Sequence, residues 1–417
     1  MRKLSATAVA ALAASPALAG EWDFGAEVQG ELRVFPNDAS TERQFDHLQP
    51  SAAFQPEARW ETDDRKHQAA IIPFFRLAGQ DDERTHFDVR EAYYRFNSDN
   101  NWSVTVGAAK VFWGRTESRH LVDIVNQTDN VEDIDEEDKL GQPMVNLTLF
   151  NDWGTLDFFV MSGFRDRTFP GPNGRPLFLL AVDTDEPIFR RDGRRAAPDF
   201  AARYGHYLGN WDFGVSFFYG TSREPRLAID AANERILPVY EQIAQGSIDF
   251  QYTKDAWLWK FEGLVREGQG DTFLAAVGGF EYTLFQVAGT NADLGLLAEY
   301  QFDGRDDDIA LEDFGDDAPA GVGDLPTIAA PVTIADNDVF VGARLGLNDP
   351  QDTAFLAGAT IDADDQSTGV FVEAERRIGA NWTAEVEARL FVNVDEENFA
   401  AAFQNEDFVT LRLTRFF

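Results

Sequence analysis

The 417-residue chain contains no cysteine. That absence excludes a disulfide framework, a thiolate metal site and a thiol nucleophile. It also contains no run approaching the ~18 consecutive apolar residues of a membrane-spanning helix, so nothing in it crosses a bilayer as a helix. Positive charge is scarce, with 36 Lys and Arg against 72 Asp and Glu, a formal charge of −36, and only six of the cations are lysines. So acidic a chain argues against nucleic acid as a partner. Histidine is limited to five positions, which restricts any histidine-based catalysis to His47, His67, His86, His120 and His206.

What is present begins with MRKLSATAVAALAASPALAG. Arg2 and Lys3 precede a short apolar run, and Ala17–Ala19 form a small-residue cleavage site. Residues 1–19 read as a secretory signal peptide and 20–417 as the mature chain. The mature chain opens EWDFGAEVQGELRV, in which Trp22, Phe24, Ala26, Val28, Leu32 and Val34 share one parity and charged residues the other. Side chains alternate across a strand, so one face is apolar and the other polar. WDFGVSFFYG, AWLWKFEGLV and WTAEVEARLFV repeat the pattern.

About eighteen such segments of roughly ten residues can be placed, sixteen being the alternative count, and this length crosses a bilayer when the strand is tilted. Their centres fall near 28, 54, 74, 92, 107, 147, 160, 204, 216, 250, 261, 278, 298, 343, 357, 374, 388 and 413. Short connections such as 62–66, 98–101, 151–154 and 209–210 alternate with longer ones, the longest at 114–142, 165–198, 221–246, 303–336 and 393–407. The expectation is an all-β fold, a single transmembrane antiparallel barrel in a bacterial outer membrane, with short periplasmic turns and long extracellular loops. Eight of nine tryptophans sit beside a short turn or a terminus, Trp113 being the exception. Tryptophan gathers where lipid meets water, and a soluble β-sandwich has no reason to level its tryptophans this way.

An eighteen-stranded barrel has a lumen too wide for wall side chains to fill. Strand 1 follows the cleavage site directly, so no N-terminal plug is expected. The default reading is passive passage of a small hydrophilic solute. Parity assigns Lys260, Glu262, Glu299, Arg344, Glu373, Arg377, Glu385, Arg389 and Arg412 to the pore lining. The signs interleave, as a stiffening Arg/Glu ladder requires, and a track for ionic solutes is the alternative. The third long connection, GRTESRHLVDIVNQTDNVEDIDEEDKLGQ, holds nine acids against three bases. It is the candidate constriction, with Trp113, Arg115, Glu117, Arg119, His120, Asp123, Asn126 and Asp129 as its pore residues. The acidic loops 114–142 and 303–336 are the places where Ca²⁺ would bind, although neither has an EF-hand spacing; no other cofactor is expected. Loop 165–198 reverses the charge balance with seven arginines, Arg165, Arg167, Arg175, Arg190, Arg191, Arg194 and Arg195, and points to lipopolysaccharide phosphate. Within 221–246, Pro238 at a start and Gly246 past an end suggest a short surface helix.

Two stretches carry resemblances. FVTLRLTRFF, with Val409, Leu411, Leu413 and Phe417, resembles the closing strand of outer-membrane barrels, which implies recognition by the barrel assembly machinery; Arg415 departs from that pattern. GAAKVFWGRTESRHLVDIVNQTD followed by KLGQPMVNLTLF resembles an uncharacterised proteobacterial barrel family related to alginate-export and porin-type channels, through Gly107, Trp113, Gly114, Asn126, Asp129 and Pro143. Gln127 stands where that family carries proline. The resemblance implies transport; an exporter or importer of an organic or saccharide acid is the more specific version. An outer-membrane hydrolase is the remaining alternative, with His120 near Ser118, Glu117 and Asp123. Closure makes one geometric demand: the last strand must pair with the first. Arg412 should then lie across the seam near Asp23, Glu27 or Glu31.

Overall fold

The structure, a computed structural model, describes residues 20–417 except positions 179, 321, 334, 397 and 398. The signal peptide predicted for 1–19 lies outside the described residues. In chain order the strands are β1 (Gly20–Val34), β2 (Leu48–Thr62), β3 (His67–Ala78), β4 (His86–Asn97), β5 (Trp102–Ala109), β6 (Gln142–Asn151), β7 (Gly154–Met161), β8 (Ile188–Phe189), β9 (Asp199–Leu208), β10 (Trp211–Thr221), β11 (Arg226–Asp230) and β12 (Arg235–Tyr240). They continue with β13 (Gln242–Lys254), β14 (Trp257–Glu267), β15 (Phe273–Leu284), β16 (Asp293–Asp303), β17 (Ile309–Glu312), β18 (Leu325–Ile328), β19 (Asn337–Gly346), β20 (Ala354–Asp362), β21 (Thr368–Ile378), β22 (Trp382–Val392) and β23 (Phe408–Phe416). Eighteen of these form one antiparallel sheet, and β1 pairs with both β2 and β23, so the sheet closes on itself. Every strand centre read from alternation falls inside one of them.

Closure follows the predicted register. Glu31 stands opposite Arg412 across the seam, and Glu27 opposite Phe416. Arg412 Nη2 lies 3.2 Å from Glu31 and Nη1 2.9 Å from Glu385 on the other side. The adjacent odd residues Leu411 and Leu413 face outward and are exposed. Arg415, on the outward series, lies with its guanidinium 4.5 Å from the Phe417 ring centroid and 5.4 Å from that of Trp382. An arginine stacked on interfacial aromatics sits where headgroups begin, at little cost.

The exterior is apolar over the whole circumference: Phe24, Phe54, Val215, Phe217, Val341 and Leu411 are all exposed. Each Å² of such surface costs ~25 cal/mol in water. A closed wall without free edges, clad this way, is built for lipid. Trp22 packs against Trp60 at the short-turn end, and Trp257 stacks on Trp259 at 5.6 Å. These rings form the interfacial girdle expected from the tryptophan count.

The long loops do more than cover the mouth. β17, β18, β11, β12 and β8 join in that order as a second sheet, built from three different loops. One face carries Ile188, Ala228, Leu237, Val239 and Leu325, and the other Leu227 and Ile236 beside Phe169 and Val182. Both faces are buried, so the sheet is a packed roof. Here the predicted surface helix is corrected. Pro238 lies inside β12 opposite Leu227, and Gly246 lies inside barrel strand β13. Ile236, Leu237 and Val239 gain more from burial in a sheet than from an exposed helix, and the proline signal was overridden by tertiary packing. A buried guanidinium ties the roof to the rest of the rim. Arg175 Nε donates to Glu406 at 2.9 Å, its Nη atoms donate to the carbonyls of Asn37, Asp46 and Asn405, and both partners of the ion pair are fully buried.

Candidate functional site: the inward loop and the lumen

The segment between β5 and β6 turns into the barrel. Val122, Ile124 and Val125 pack with Trp113, Met144, Phe159, Phe218 and Ile243 in one buried cluster. Leu121 packs instead with Leu264, Phe273, Ala275 and Val277 on a different part of the wall. Burying each of these aliphatic side chains stabilises the loop by about 1.5–3 kcal/mol. The motif HLVDIV therefore acts as the apolar anchor that its composition suggested.

Two wall carboxylates pin the loop backbone. Glu262, fully buried on β14, accepts hydrogen bonds from the N–H groups of Arg115 (2.5 Å), Thr116 (3.0 Å) and Val122 (3.1 Å), and from the Thr116 hydroxyl (2.8 Å). Glu299 on β16 accepts from the N–H groups of Glu117 (2.9 Å) and Ser118 (2.9 Å) and from the Ser118 hydroxyl (2.6 Å). Successive backbone N–H groups converging on one anion form a nest, and hydrogen bonds to a charged acceptor are about twice as strong as neutral ones. The carboxylates predicted to line the pore are thus the pegs on which the loop hangs.

The loop's charged side chains then reach across the lumen. Arg115 pairs with Asp212 (2.8 Å) and Asp249 (3.2 Å), and Arg119 with Asp303 (3.0 Å). Glu117 accepts from Lys260 (3.3 Å) and from Arg344. Arg389 holds Asp135 (3.0 Å), Glu373 (3.1 Å) and Glu387 (2.9 Å). On the opposite side the loop's acids neutralise a wall of arginines: Arg90 meets Asp129 (2.5 Å), Arg76 meets Glu132 (2.6 Å), and Arg33 meets Asp133 (2.8 Å).

Of the predicted pore residues, Trp113, Asn126 and Asp129 are buried. Trp113 is 4% exposed, with the Arg203 guanidinium 5.4 Å from its ring centroid. Asn126 closes the base of the loop: its amide donates to the carbonyls of Ala109 (2.9 Å) and Leu140 (2.8 Å), and its oxygen accepts from Val111 N–H (2.8 Å). Asn126→Ala would leave these buried groups unpaired, at about 1–3 kcal/mol for each. It should make the loop a site of early protease cleavage in the folded barrel while leaving the heat-modifiable gel shift in place. Asp123 accepts from Trp113 N–H (3.2 Å) and lies 3.6 Å from Lys139. Arg377 sits at the short-turn rim paired with exposed Asp352, apart from the loop.

His120 lies 3.9 Å from Glu262 and edge-on to Phe112. Burial depresses its pKa, but the charge of Glu262 more than offsets that, leaving the imidazole above its ordinary value. A raised pKa means that the charged imidazole contributes to holding the loop below the ordinary value, and that this contribution is lost as pH rises through the raised one. Open-channel current noise should therefore increase from mildly acidic to alkaline pH, and His120→Gln should abolish the dependence.

Sequence reasoning missed Arg76, Arg84, Arg90, Glu132 and Asp133. Strand parity offered Arg76 and Arg90, whereas Arg84 comes from a turn with no pattern. Among the described residues three groups offer three ligand atoms within 4.8 Å, two of them beside the loop, His86–Asp129–Glu132 and Asp133–Asp135–Glu387. Guanidinium groups already hold the carboxylates of these two, a poor donor set for Ca²⁺. The run Asp306–Asp308 is exposed.

No family model matches the chain, and no curated protein matches it. Solved structures do. The Pseudomonas aeruginosa protein OccK3 (OpdO) superposes with a TM-score of 0.54 at 10% identity, over 95% of each chain. A BenF-like porin from Pseudomonas fluorescens Pf-5 gives 0.53 at 9% identity, over 95% of this chain and 98% of that one. Wzi, described as a carbohydrate-binding outer-membrane β-barrel involved in group 1 capsule assembly in Escherichia coli, gives 0.51 at 9% identity, over 93% and 83%. The chain shares the closed-barrel fold of these outer-membrane proteins. The likeness is one of fold, and it agrees with the lipid-clad wall in placing the protein in the bacterial outer membrane.

Proposed function

We propose that the protein is a passive channel for small hydrophilic solutes, with loop 114–142 as its narrowest section. The observation that carries this reading is the suspension of the loop across the lumen from Glu262 and Glu299. Liposomes containing the refolded protein should swell in neutral sugars at rates that fall as the sugar grows. Failure to swell in the smallest sugar would overturn the reading.

A channel dedicated to organic or saccharide acids has less support, because Arg33, Arg76, Arg90, Arg119 and Arg389 are matched to carboxylates. A hydrolase has less still, since the Ser118 hydroxyl is committed to Glu299 and not to His120. Lipopolysaccharide remains the proposed outer partner. Six of the seven arginines in 165–198 have carboxylate partners, which leaves exposed Arg194 as the first candidate for its phosphates.

A further inference from the structure

A cavity of about 410 Å³ lies between the roof, the tip of the inward loop and the wall strands β19–β22. Part of its lining is apolar: Leu177, Phe178 and Val332 from the roof, and Leu356 and Phe371 from the wall. The cations on its lining are already matched. Arg119 is held by Asp303 (3.0 Å), Arg167 by Glu136 (2.9 Å), Lys139 by Asp123 (3.6 Å) and Arg389 by three carboxylates.

One lining carboxylate is different. Asp338, on β19, is 2% exposed, and its Oδ2 atom has no hydrogen-bond partner. No cation among the described residues pairs with it. Across the strand pairs it faces a second buried carboxylate, Asp362 on β20, on one side and the amide of Gln301 on β16 on the other. Like charges directly opposed on a sheet destabilise it, and a buried charge normally has a partner. The wall therefore holds two opposed carboxyl groups at the cavity, and Asp338 has no cation of its own among the described residues.

We propose that this cavity binds an organic cation, a solute with an apolar body and an ammonium head, as it passes through the channel. The head sits on Asp338 and Asp362, and the body lies against Leu356 and Phe371. The inference rests on the channel reading for its purpose but not for its test. Isothermal titration calorimetry on the full-length mature protein in detergent uses four probes: phenylethylammonium, phenylacetate, methylammonium and Ca²⁺. Phenylethylammonium should bind. Phenylacetate, with the opposite charge on a similar body, and methylammonium, without the body, should bind at least about tenfold more weakly. Asp338→Asn, which removes a buried carboxyl that faces a second one and so should fold at least as well as the parent, should weaken phenylethylammonium by about tenfold or more. Equal binding of phenylacetate, or unchanged binding by the variant, overturns the proposal. So does tight Ca²⁺ binding that displaces the amine, which would make this an inorganic cation site. Amine binding in a barrel that never conducts would retain the site and refute the channel; conductance without amine binding would do the reverse.

Discussion

Deleting residues 118–138 should raise single-channel conductance several-fold and turn the channel toward anions. The first effect follows from position. The deleted segment includes Leu121, Val122, Ile124 and Val125, which fix the loop to the wall, and Ser118, one of the donors to Glu299. Without them only residues 115–117 stay tied to Glu262 and Glu299, and the apolar anchor that carries the chain across the lumen is gone. The second effect follows from charge. The segment carries eight carboxylates against the single base Arg119. Asp129, Glu132 and Asp133 leave with it, so Arg90, Arg76 and Arg33 lose their nearest carboxylates and keep only longer contacts to Asp88 and Glu31. A pore edge lined by freed guanidinium groups attracts anions. Conductance and reversal potential in a salt gradient read the two effects separately. Unchanged conductance would mean that the loop does not set the narrowest section. Raised conductance with unchanged selectivity would mean that the arginine wall lies outside the ion path.

Glu31→Gln should be the most damaging single substitution in the wall. The carboxylate side chain is fully buried and touches four guanidinium groups: Arg84 at 2.7 Å, Arg412 at 3.2 Å, Arg33 at 3.6 Å and Arg76 at 3.7 Å. It is also the β1 half of the seam pair with Arg412. Removing one partner from a buried charge network costs about 3–5 kcal/mol, because the remaining charges stay buried without compensation. The substitution should lower the temperature at which the folded gel band converts to the unfolded one, and lower the urea midpoint in detergent. Arg377→Ala is the control. Its pair with Asp352 is about half exposed, and such pairs contribute about 0–1 kcal/mol. Equal effects of the two substitutions would show that the network around Glu31 is not what stabilises the closed wall.

The barrel was legible because its signal is local and repeated. Alternation in EWDFGAEVQGELRV and WTAEVEARLFV assigns inside and outside without knowledge of any neighbour. Once parity is known, closure alone puts Arg412 beside a β1 carboxylate. The segment near residue 74 reads less clearly because its inward residues Ala70, Ile72 and Phe74 are apolar like the outward ones, although inside and outside still alternate along it. The roof was not legible. Its strands are two to six residues long and come from three loops, and their apolar residues make sense only against one another. The loop was half legible. HLVDIV announced an anchor, and the charge run announced a polar surface. That Glu262 and Glu299 would accept from the loop backbone depends on the path of the backbone, and side-chain identities do not encode it. Asp338 was within reach of parity, since Val339 and Val341 face outward, but its lack of a partner is a property of the assembled wall.

Single-channel recording of the intact protein in planar bilayers tests the central claim most directly. The account predicts discrete, stepwise openings with a preference for cations, since loop 114–142 holds nine acids against three bases. A bilayer that stays silent at every voltage, with correctly folded and inserted protein, would contradict it.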